Sequence, residues 1–323
     1  MKSRTIGKTS LKCGAIGLGC NRMLDPDNKD MVATAHAALD IGMNQFDGAD
    51  IYGEGRCETF LGKVLKDRRN EAIIVTKFGM IRAPDGKGTI LNVKPEYVKA
   101  ACDASLKRLG MDHVELYYQH RMDPDLPIEE TIGAMADLVK AGKVKAIGLC
   151  NTTADLIRRA HKVHPLAAVQ MEYSLMERSV ERDVLPACKE LGITFVAYGP
   201  LTYAFLSGDV KKHEDLPQGD FFRRRQSRFT DDNIPHNLKL LEVLKGVAYE
   251  VGATPSQIAL AWCLHRPYDV LPIPGSSRPK HLHENADAAA ITLSQDQVRR
   301  LDAAFAPGVA KGDGGLPPAA KAN

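Results

Sequence analysis

Short apolar segments rich in Val, Ile and Tyr alternate along this chain with longer segments that carry apolar residues at helical spacing. This alternation is typical of parallel strands joined by crossover helices. We count eight such units, and eight βα units in sequence predict a (β/α)8 barrel of the TIM type. The predicted strands are residues 15–20, 44–47, 73–77, 114–119, 146–150, 168–172, 193–198 and 270–274.

The clearest predicted helix follows the fourth strand. Pro127 stands near its start and Gly142 just beyond its end, which is the usual placement of these residues at helix ends. Its apolar residues recur at helical spacing, at Ile128, Ile132, Met135, Leu138 and Val139. Near the N-terminus, the segments 5–8 and 11–13 flank a Gly-Lys-Thr-Ser turn, so we predict a small β-hairpin that closes the bottom of the barrel.

Two segments break the regular alternation. Residues 199–235 form a long connection after the seventh strand, and loops of this length usually carry function. The segment after Pro307 is rich in Gly, Pro and Ala, so we expect a C-terminal helix to be followed by a flexible tail over residues 308–323. We expect one domain over residues 1–323, because the chain can bury a full-sized core and shows no internal repeat.

Composition narrows the possible partners. The 43 lysines and arginines exceed the 40 acidic residues by only three, which is too small an excess for a nucleic-acid or anionic-membrane surface. The polar start leads into no apolar export segment, and no stretch approaches the roughly 18 apolar residues of a membrane span. Seven cysteines show no CxxC pair and no metal spacing. We expect a cytoplasmic protein with reduced thiols, no bound metal, and no nucleic-acid or membrane partner.

Polar residues stand where the predicted strands end. In a parallel barrel the carboxyl ends of all strands meet at one rim, where the active sites of such barrels lie. The residues concerned are Asp47, Lys77, His120, Cys150 with Asn151, Gln170 and Tyr198. The sequence therefore predicts one polar cluster at this rim.

Lys77 ends an otherwise apolar strand and would be costly to bury as an unpaired cation. Asp47 is the obvious carboxylate partner, and Tyr52 follows it in the same loop. A free phenol, with a pKa of about 10, is a poor proton donor at neutral pH. We expect the buried Lys77 ammonium to lower the pKa of Tyr52 and make it a better donor.

Four segments, in order and spacing, resemble the aldo-keto reductase superfamily. They are residues 46–53 (Phe-Asp-Gly-Ala-Asp-Ile-Tyr-Gly), 75–77 (Val-Thr-Lys), 116–120 (Leu-Tyr-Tyr-Gln-His) and 142–151 (Gly-Lys-Val-Lys-Ala-Ile-Gly-Leu-Cys-Asn). The resemblance runs over nearly the whole chain. It implies a catalytic tetrad in which Tyr52 is the general acid/base, Asp47 and Lys77 tune it, and His120 orients the carbonyl.

The same resemblance implies a nicotinamide coenzyme, NADPH by preference with NADH possible. Asn151 and Gln170 would hold the carboxamide, and Tyr198 would stack on the ring. Cys150 departs from the usual serine, which weakens one carboxamide hydrogen bond. The full set of expected coenzyme residues is Cys150, Asn151, Gln170, Tyr198, Pro200, Leu201, Gly275, Ser276, Ser277, Arg278, His281, Glu284 and Asn285.

The adenosine-phosphate part of this set can also be read from its chemistry. A serine-rich turn followed by Pro279 at a helix start presents free amides to an anion. Ser276 and Arg278 favour NADPH, because they would hold its 2′-phosphate. Ser277 and His281 stand where many relatives carry arginine, so we expect a shallow preference.

The resemblance implies reduction of a small aldehyde or ketone. Candidate pocket residues are Asn21, Arg22, Met23, Phe78, Tyr203 and Phe205. An alternative is a coenzyme-binding regulatory subunit of the same fold with little turnover, and an intact tetrad favours the enzyme. An isomerase or metal hydrolase would need a second His or carboxylate cluster, which the rim lacks. The substrate and the oligomeric state stay open, with a monomer as the family-like default.

Overall fold

The structure, a computed structural model, describes residues 1–83, 86, 88–313 and 320–321. Its strands, in chain order, are β1 (Ser3–Thr5), β2 (Lys12–Gly14), β3 (Leu18–Gly19), β4 (Gln45–Asp47), β5 (Ile73–Phe78), β6 (Met80–Arg82), β7 (Thr89–Leu91), β8 (Val114–Gln119), β9 (Val144–Cys150), β10 (Leu166–Glu172), β11 (Thr194–Tyr198), β12 (Val270–Pro272) and β13 (Ala320–Lys321).

Helices lie between these strands. They are α1 (Lys29–Asp40), α2 (Arg56–Val64), α3 (Pro95–Leu109), α4 (Ile128–Lys140), α5 (Ala154–Val163), α6 (Val184–Leu191), α7 (Phe221–Arg224), α8 (Ile234–Val251), α9 (Pro255–Leu264), α10 (Pro279–Asp287) and α11 (Gln295–Ala304). The predicted helix after the fourth strand is α4. It begins directly after Pro127, and Gly142 beyond its end has a φ of 75°, a left-handed conformation that glycine adopts without strain.

Eight parallel strands form the central sheet, in the order β3, β4, β5, β8, β9, β10, β11 and β12. Gly17 N donates to Pro272 O (3.0 Å) and Gly19 N donates to Pro274 O (3.1 Å), and these bonds join the two edges of the sheet. The predicted (β/α)8 barrel with its N-terminal hairpin is confirmed. The first strand is shorter than the predicted 15–20, because only Leu18 and Gly19 pair with β4.

Alternation along the strands decides which side chains enter the barrel. One buried cluster contains Val75, Leu116, Ala146, Ala168 and Val196, which lie inside the ring of strands. Their neighbours Ile74, Tyr117, Ile147, Val169 and Phe195 belong to the larger cluster between the strands and the helices. Because side chains two positions apart share a face, the interior series continues to the last residues of each strand.

The hairpin of β1 and β2 lies at the opposite end from the rim. Gly7 N donates to Thr194 Oγ1 (2.7 Å), and Arg4 contacts the carbonyl of Val270, so both contacts reach the first residue of a barrel strand. Ile6 and Cys13 of this segment are buried with the interior side chains. The hairpin therefore covers the bottom of the barrel, as predicted.

The two irregular segments contact each other. The connection after β11 contains α7 and three 3-10 turns, at Phe205–Ser207, His213–Asp215 and Ser227–Phe229. Asp313 N donates to Ser227 Oγ (2.8 Å), and Lys311 and Asn237 exchange two hydrogen bonds of 2.9 Å. β13 pairs with β7. The rest of the tail, residues 314–319 and 322–323, lies outside the described residues, so its flexibility stays a prediction.

The seven cysteines, all among the described residues, are free and buried. In the described part of the chain, no helix is both long enough and apolar enough to cross a membrane.

Candidate active site

The interior series ends at the rim in polar residues. Asp47 follows the interior residue Gln45 on β4, Lys77 follows Val75 on β5, and Cys150 follows Ala146 and Gly148 on β9. Gln170 on β10 and Tyr198 on β11 continue the same faces as Ala168 and Val196, and His120 continues that of Tyr118. Strand geometry thus directs six side chains from six different strands or strand ends toward one opening.

Lys77 and Asp47 form a buried ion pair at this opening. Lys77 is 0% exposed and Asp47 is 2% exposed. Lys77 Nζ donates to Asp47 Oδ1 and to Gly48 O (2.7 Å), while Gln170 Nε2 donates to Asp47 Oδ2 (2.7 Å). Burial alone would lower the pKa of Lys77, but the charge of Asp47 and the nearby Tyr52 phenol outweigh it and hold the pKa above its usual range. Lys77 is therefore a permanent buried cation.

Tyr52 lies directly against this cation. Lys77 Nζ sits 5.0 Å from the centroid of the Tyr52 ring, and the Tyr52 and His120 rings meet edge to face at 6.0 Å with an interplanar angle of 83°. The loop that carries Tyr52 turns into α2 through Gly53, Glu54 and Gly55, which all have positive φ. The structure thus brings all four predicted tetrad residues together.

The expected net lowering of the pKa of Tyr52 is wrong in this structure. Burial is the larger effect and raises the pKa of Tyr52 to about 12, while the Lys77 charge opposes the rise. The phenol therefore stays protonated well beyond neutral pH. An alkoxide is comparable in basicity to hydroxide and is a much stronger base than a phenolate, so a neutral phenol can still protonate an alkoxide favourably.

His120 is a neutral imidazole here. Its backbone N–H donates to Phe78 O (2.9 Å) on β5, and its carbonyl accepts from Asn151 Nδ2 (3.2 Å) directly after β9, so its backbone is fixed between these two strands. Burial, the Lys77 charge and the Arg121 charge hold the pKa of His120 well below its usual range. Its Nδ1 is buried without a hydrogen-bond partner among the described residues.

The ends of β9, β10 and β11 form a connected floor beside the tetrad. Tyr198 OH donates to Asn151 Oδ1 (2.8 Å), and Asn151 N donates to Gln170 O (3.0 Å). Asn151 has a φ of 51°, a left-handed conformation that Asn tolerates better than most residues. Cys150 is buried, and burial raises the pKa of its thiol well above the usual range, so it stays a neutral thiol.

The predicted phosphate loop crosses the point where the barrel closes. Gly275 forms a bridge with Gly19, and Ser276 Oγ accepts from Arg278 N (3.3 Å) and donates to Arg278 O (2.9 Å). Arg278 precedes α10, which begins at Pro279 and has no side-chain cap. The Arg278 side chain is exposed, with no ion-pair partner in the described part of the chain. Exposed amides and a free guanidinium fit an anionic group at this position.

The remaining coenzyme candidates lie beside this loop or over the rim. Glu284 accepts from Thr254 Oγ1 (2.8 Å), lies 3.7 Å from His281 Nδ1 through its other oxygen, and precedes the buried Asn285. Ser277 is half-buried. Pro200 is buried and Leu201 half-buried, directly after β11.

The predicted substrate-pocket residues fall into two groups. Arg22 Nη2 pairs with Asp220 Oδ2 (3.0 Å), which also pairs with Arg223 Nε (2.7 Å), and Arg223 donates to Tyr203 O (3.2 Å). This chain links Arg22 and Tyr203 across the rim. Asn21 Oδ1 lies near Gly275.

The other three candidates are fully buried: Met23, Phe78 and Phe205. Phe78 lies on the outer face of β5 and stacks on Tyr117 with centroids 4.8 Å apart, and Phe205 meets Phe229 edge to face at 5.8 Å. Their side chains pack in the outer core, so a role for them in substrate binding stays a prediction.

Sequence reasoning missed three charged residues near the rim: Asp50, Arg121 and Arg228. Burial, followed by the charge of Glu58, raises the pKa of Asp50 to about 7, and its Oδ1 has no hydrogen-bond partner among the described residues. Arg228 is buried in ion pairs with Glu172 (3.0 Å) and Glu177 (3.5 Å). Arg121 could have been found from the sequence, because it directly follows His120. Arg228 could not, because its partners Glu172 and Glu177 lie some fifty residues earlier in the chain.

Comparison with known proteins agrees with this geometry. The sequence model of the Aldo/keto reductase family matches residues 14–306. The chain belongs to this family. It is therefore an oxidoreductase, and members of this family use nicotinamide coenzymes.

Three solved structures resemble the chain over nearly its whole length. The thermostable aldo-keto reductase Tm1743, solved with the inhibitor epalrestat, is 30% identical, with 94% of this chain and 100% of that chain covered and a TM-score of 0.75. The glycerol dehydrogenase AKR11B4 from Gluconobacter oxydans is 25% identical, with 99% of each chain covered and a TM-score of 0.87. The holo form of AKR11C1 from Bacillus halodurans is 27% identical, with 94% and 96% covered and a TM-score of 0.78.

We expect the Lys77→Met substitution to lower the free energy of unfolding by about 3 to 5 kcal/mol, because it leaves the buried Asp47 uncompensated. The double variant Lys77→Met/Asp47→Asn should be more stable than the single variant, since it buries no charge. Chemical denaturation measures both. The exposed pair Lys99–Asp137 (2.7 Å) is the matched control, and the same substitutions there should cost about 1 kcal/mol or less. A double variant at the rim that is less stable than Lys77→Met would contradict the pairing.

Proposed function

We propose that this chain is a single-domain cytoplasmic enzyme that reduces small aldehydes or ketones to alcohols with NADPH, and that Tyr52 is its general acid. The observation that carries the proposal is the contact of the Tyr52 ring with a buried Lys77–Asp47 ion pair and with neutral His120. A structural ion pair would not need a phenol and an uncharged imidazole at the same opening.

The four residues have distinct roles in this proposal. The coenzyme, when bound, supplies the hydride for the carbonyl carbon. Negative charge then develops on the carbonyl oxygen, and Tyr52 donates its proton to that oxygen. The fixed Lys77 ammonium stabilises the phenolate that remains, and Asp47 with Gln170 holds Lys77 in place. Neutral His120 retains one ring N–H that can donate to the same oxygen without competing for its proton.

The coenzyme residues are proposed on the fit of their chemistry. Asn151 and Gln170 offer amide groups to the carboxamide, with Cys150 as a weaker neighbour, and Tyr198 offers an aromatic face. Asn151 already binds Tyr198 and His120, so its orientation is set before the coenzyme arrives. Pro200 and Leu201 would border the coenzyme after β11, and Gly275, Ser277, Glu284 and Asn285 would border its adenosine end.

The proposed preference for NADPH rests on the loop before α10. Its uncapped amides and the guanidinium of Arg278, which has no ion-pair partner among the described residues, would meet the 2′-phosphate, which NADH lacks. Ser276 holds the turn through two hydrogen bonds to Arg278. His281 Nδ1 lies 3.7 Å from a carboxylate oxygen of Glu284, which competes with the phosphate for this side chain. Arg278 is therefore the principal cation for the phosphate in this proposal.

The Tyr52→Phe substitution should lower kcat for carbonyl reduction by about 10²- to 10⁴-fold, because it removes the proton donor and keeps the ring. Coenzyme affinity should stay within about twofold, since Tyr52 donates no hydrogen bond to the coenzyme in this proposal. Steady-state turnover and a coenzyme fluorescence titration measure the two effects. Tyr249→Phe, on an exposed ring of α8, is the matched control and should change neither.

Normal turnover by Tyr52→Phe would remove Tyr52 from the mechanism. A wild-type protein that binds coenzyme but reduces no carbonyl would instead favour a regulatory subunit.

The Arg278→Ala substitution should raise the KM for NADPH by roughly tenfold to a hundredfold, because a charge-assisted contact contributes about 1.5 to 3 kcal/mol. The KM for NADH should change little. Arg299→Ala, which removes a similarly exposed arginine from α11, controls for the loss of one positive charge. An equal loss for both coenzymes would place Arg278 at the pyrophosphate, and equal use of both coenzymes by the wild type would contradict the NADPH assignment.

A further inference from the structure

Arg121 is a cation at the rim that has no acidic ion-pair partner among the described residues. It follows His120 at the start of the loop between β8 and α4, and its carbonyl accepts from Gln119 Nε2 (3.0 Å), which fixes the backbone there. Its side chain is half-buried, and Nε is buried with no hydrogen-bond partner in the described part of the chain. Within that part of the chain, no carboxylate lies within 4.0 Å of the guanidinium.

Other arginines around the opening have partners. Arg22 and Arg223 both pair with Asp220, and Arg228 pairs with Glu172. Two buried carboxylates of the rim are likewise engaged, Asp47 by Lys77 and Glu172 by Arg228. Partial burial of a guanidinium removes water that would otherwise solvate it, so an arginine without an acidic partner carries a cost that a bound anion would offset.

The charge of Arg121 reaches the groups that surround the opening. It contributes, after burial and Lys77, to the lowered pKa of His120, and it opposes the rise in the pKa of Cys150 and of Tyr198. His120 directly follows β8, and Cys150 and Tyr198 end β9 and β11. Because Asp47 compensates Lys77, Arg121 adds positive charge to this opening that an anion could balance.

We propose that Arg121 is a specificity-determining residue that binds a carboxylate on the substrate, so that the preferred substrates are carbonyl compounds that also carry an acid group. This inference rests on the proposed function and names the substrate class of that site. Arginine suits the task, because its planar guanidinium can donate two parallel hydrogen bonds to a carboxylate. Its place directly after His120 sets the acid group apart from the reacting carbonyl, since His120 points to the carbonyl oxygen in the same proposal.

The test compares 4-carboxybenzaldehyde with its neutral methyl ester, methyl 4-formylbenzoate. These two aldehydes are similar in shape and differ in charge. We expect the wild-type kcat/KM to be at least roughly tenfold higher for the acid, and Arg121→Met to reduce the acid-to-ester ratio by roughly tenfold to a hundredfold. Arg121→Lys should retain part of the ratio. Arg182→Met, which removes an exposed arginine from the loop between β10 and α6, is the matched control and should leave the ratio unchanged.

Calorimetric binding of the two alcohol products, 4-(hydroxymethyl)benzoate and its methyl ester, gives a readout that does not depend on turnover. Tighter binding of the acid that is lost in Arg121→Met supports the inference. Turnover of both aldehydes with the same ratio in wild type and Arg121→Met overturns it and leaves the reductase assignment intact. A weaker affinity for NADPH with an unchanged ratio also overturns it, because Arg121 would then contact a coenzyme phosphate. Failure of the wild type to reduce either aldehyde, with acid-selective binding retained, would count against the proposed reaction alone.

Discussion

The buried ammonium of Lys77 is the constraint on which the rim depends. A cation that is fully withdrawn from water must be stabilised by polar or aromatic groups of the protein. Lys77 Nζ donates hydrogen bonds to the carboxylate of Asp47 on β4 and to the carbonyl of Gly48, and it lies over the ring of Tyr52. Gln170 then satisfies the second oxygen of Asp47. Three strands of the barrel are thereby tied to one charge, and the phenol is held beside it at the rim.

Two opposing effects act on the pKa of that phenol, and their balance sets its protonation state. Burial raises the pKa of Tyr52 and the Lys77 charge lowers it, so the phenol remains a proton carrier that is protonated at neutral pH. The same cation, together with burial, keeps His120 neutral. In the proposed mechanism, Tyr52 can then give the proton while His120 orients the oxygen. Asp50 lies in the same loop, and burial together with the charge of Glu58 raises its pKa. In this account Asp50 does not contact the reacting atoms.

The barrel and the polar cluster at its rim were predictable because both follow from local periodicity, whereas the tetrad and the roles of its members were implied by the resemblance to the aldo-keto reductases. Eight apolar segments specified the strands, and the alternation of side chains placed Asp47, Lys77 and Gln170 on one inner face. The same alternation, counted from Lys77, would have put Phe78 on the outer face against Tyr117, where it lies. The pKa of Tyr52 depends on its depth of burial, and the ion pair of Arg228 with Glu172 joins distant segments, so neither could be read from the sequence.

Our central claim, that Tyr52 carries the proton, is tested most directly by measuring kcat/KM against pH for reduction and for oxidation of the same substrate pair. A donor must be protonated for reduction and deprotonated for oxidation, so the pH at which the reduction rate begins to fall reports its pKa. The account predicts a level reduction rate from about pH 6 to at least about pH 9, with oxidation rising throughout, because the donor is a phenol. A reduction rate that already falls between about pH 6 and 7 would assign the proton to an imidazole such as His120 and would contradict the account.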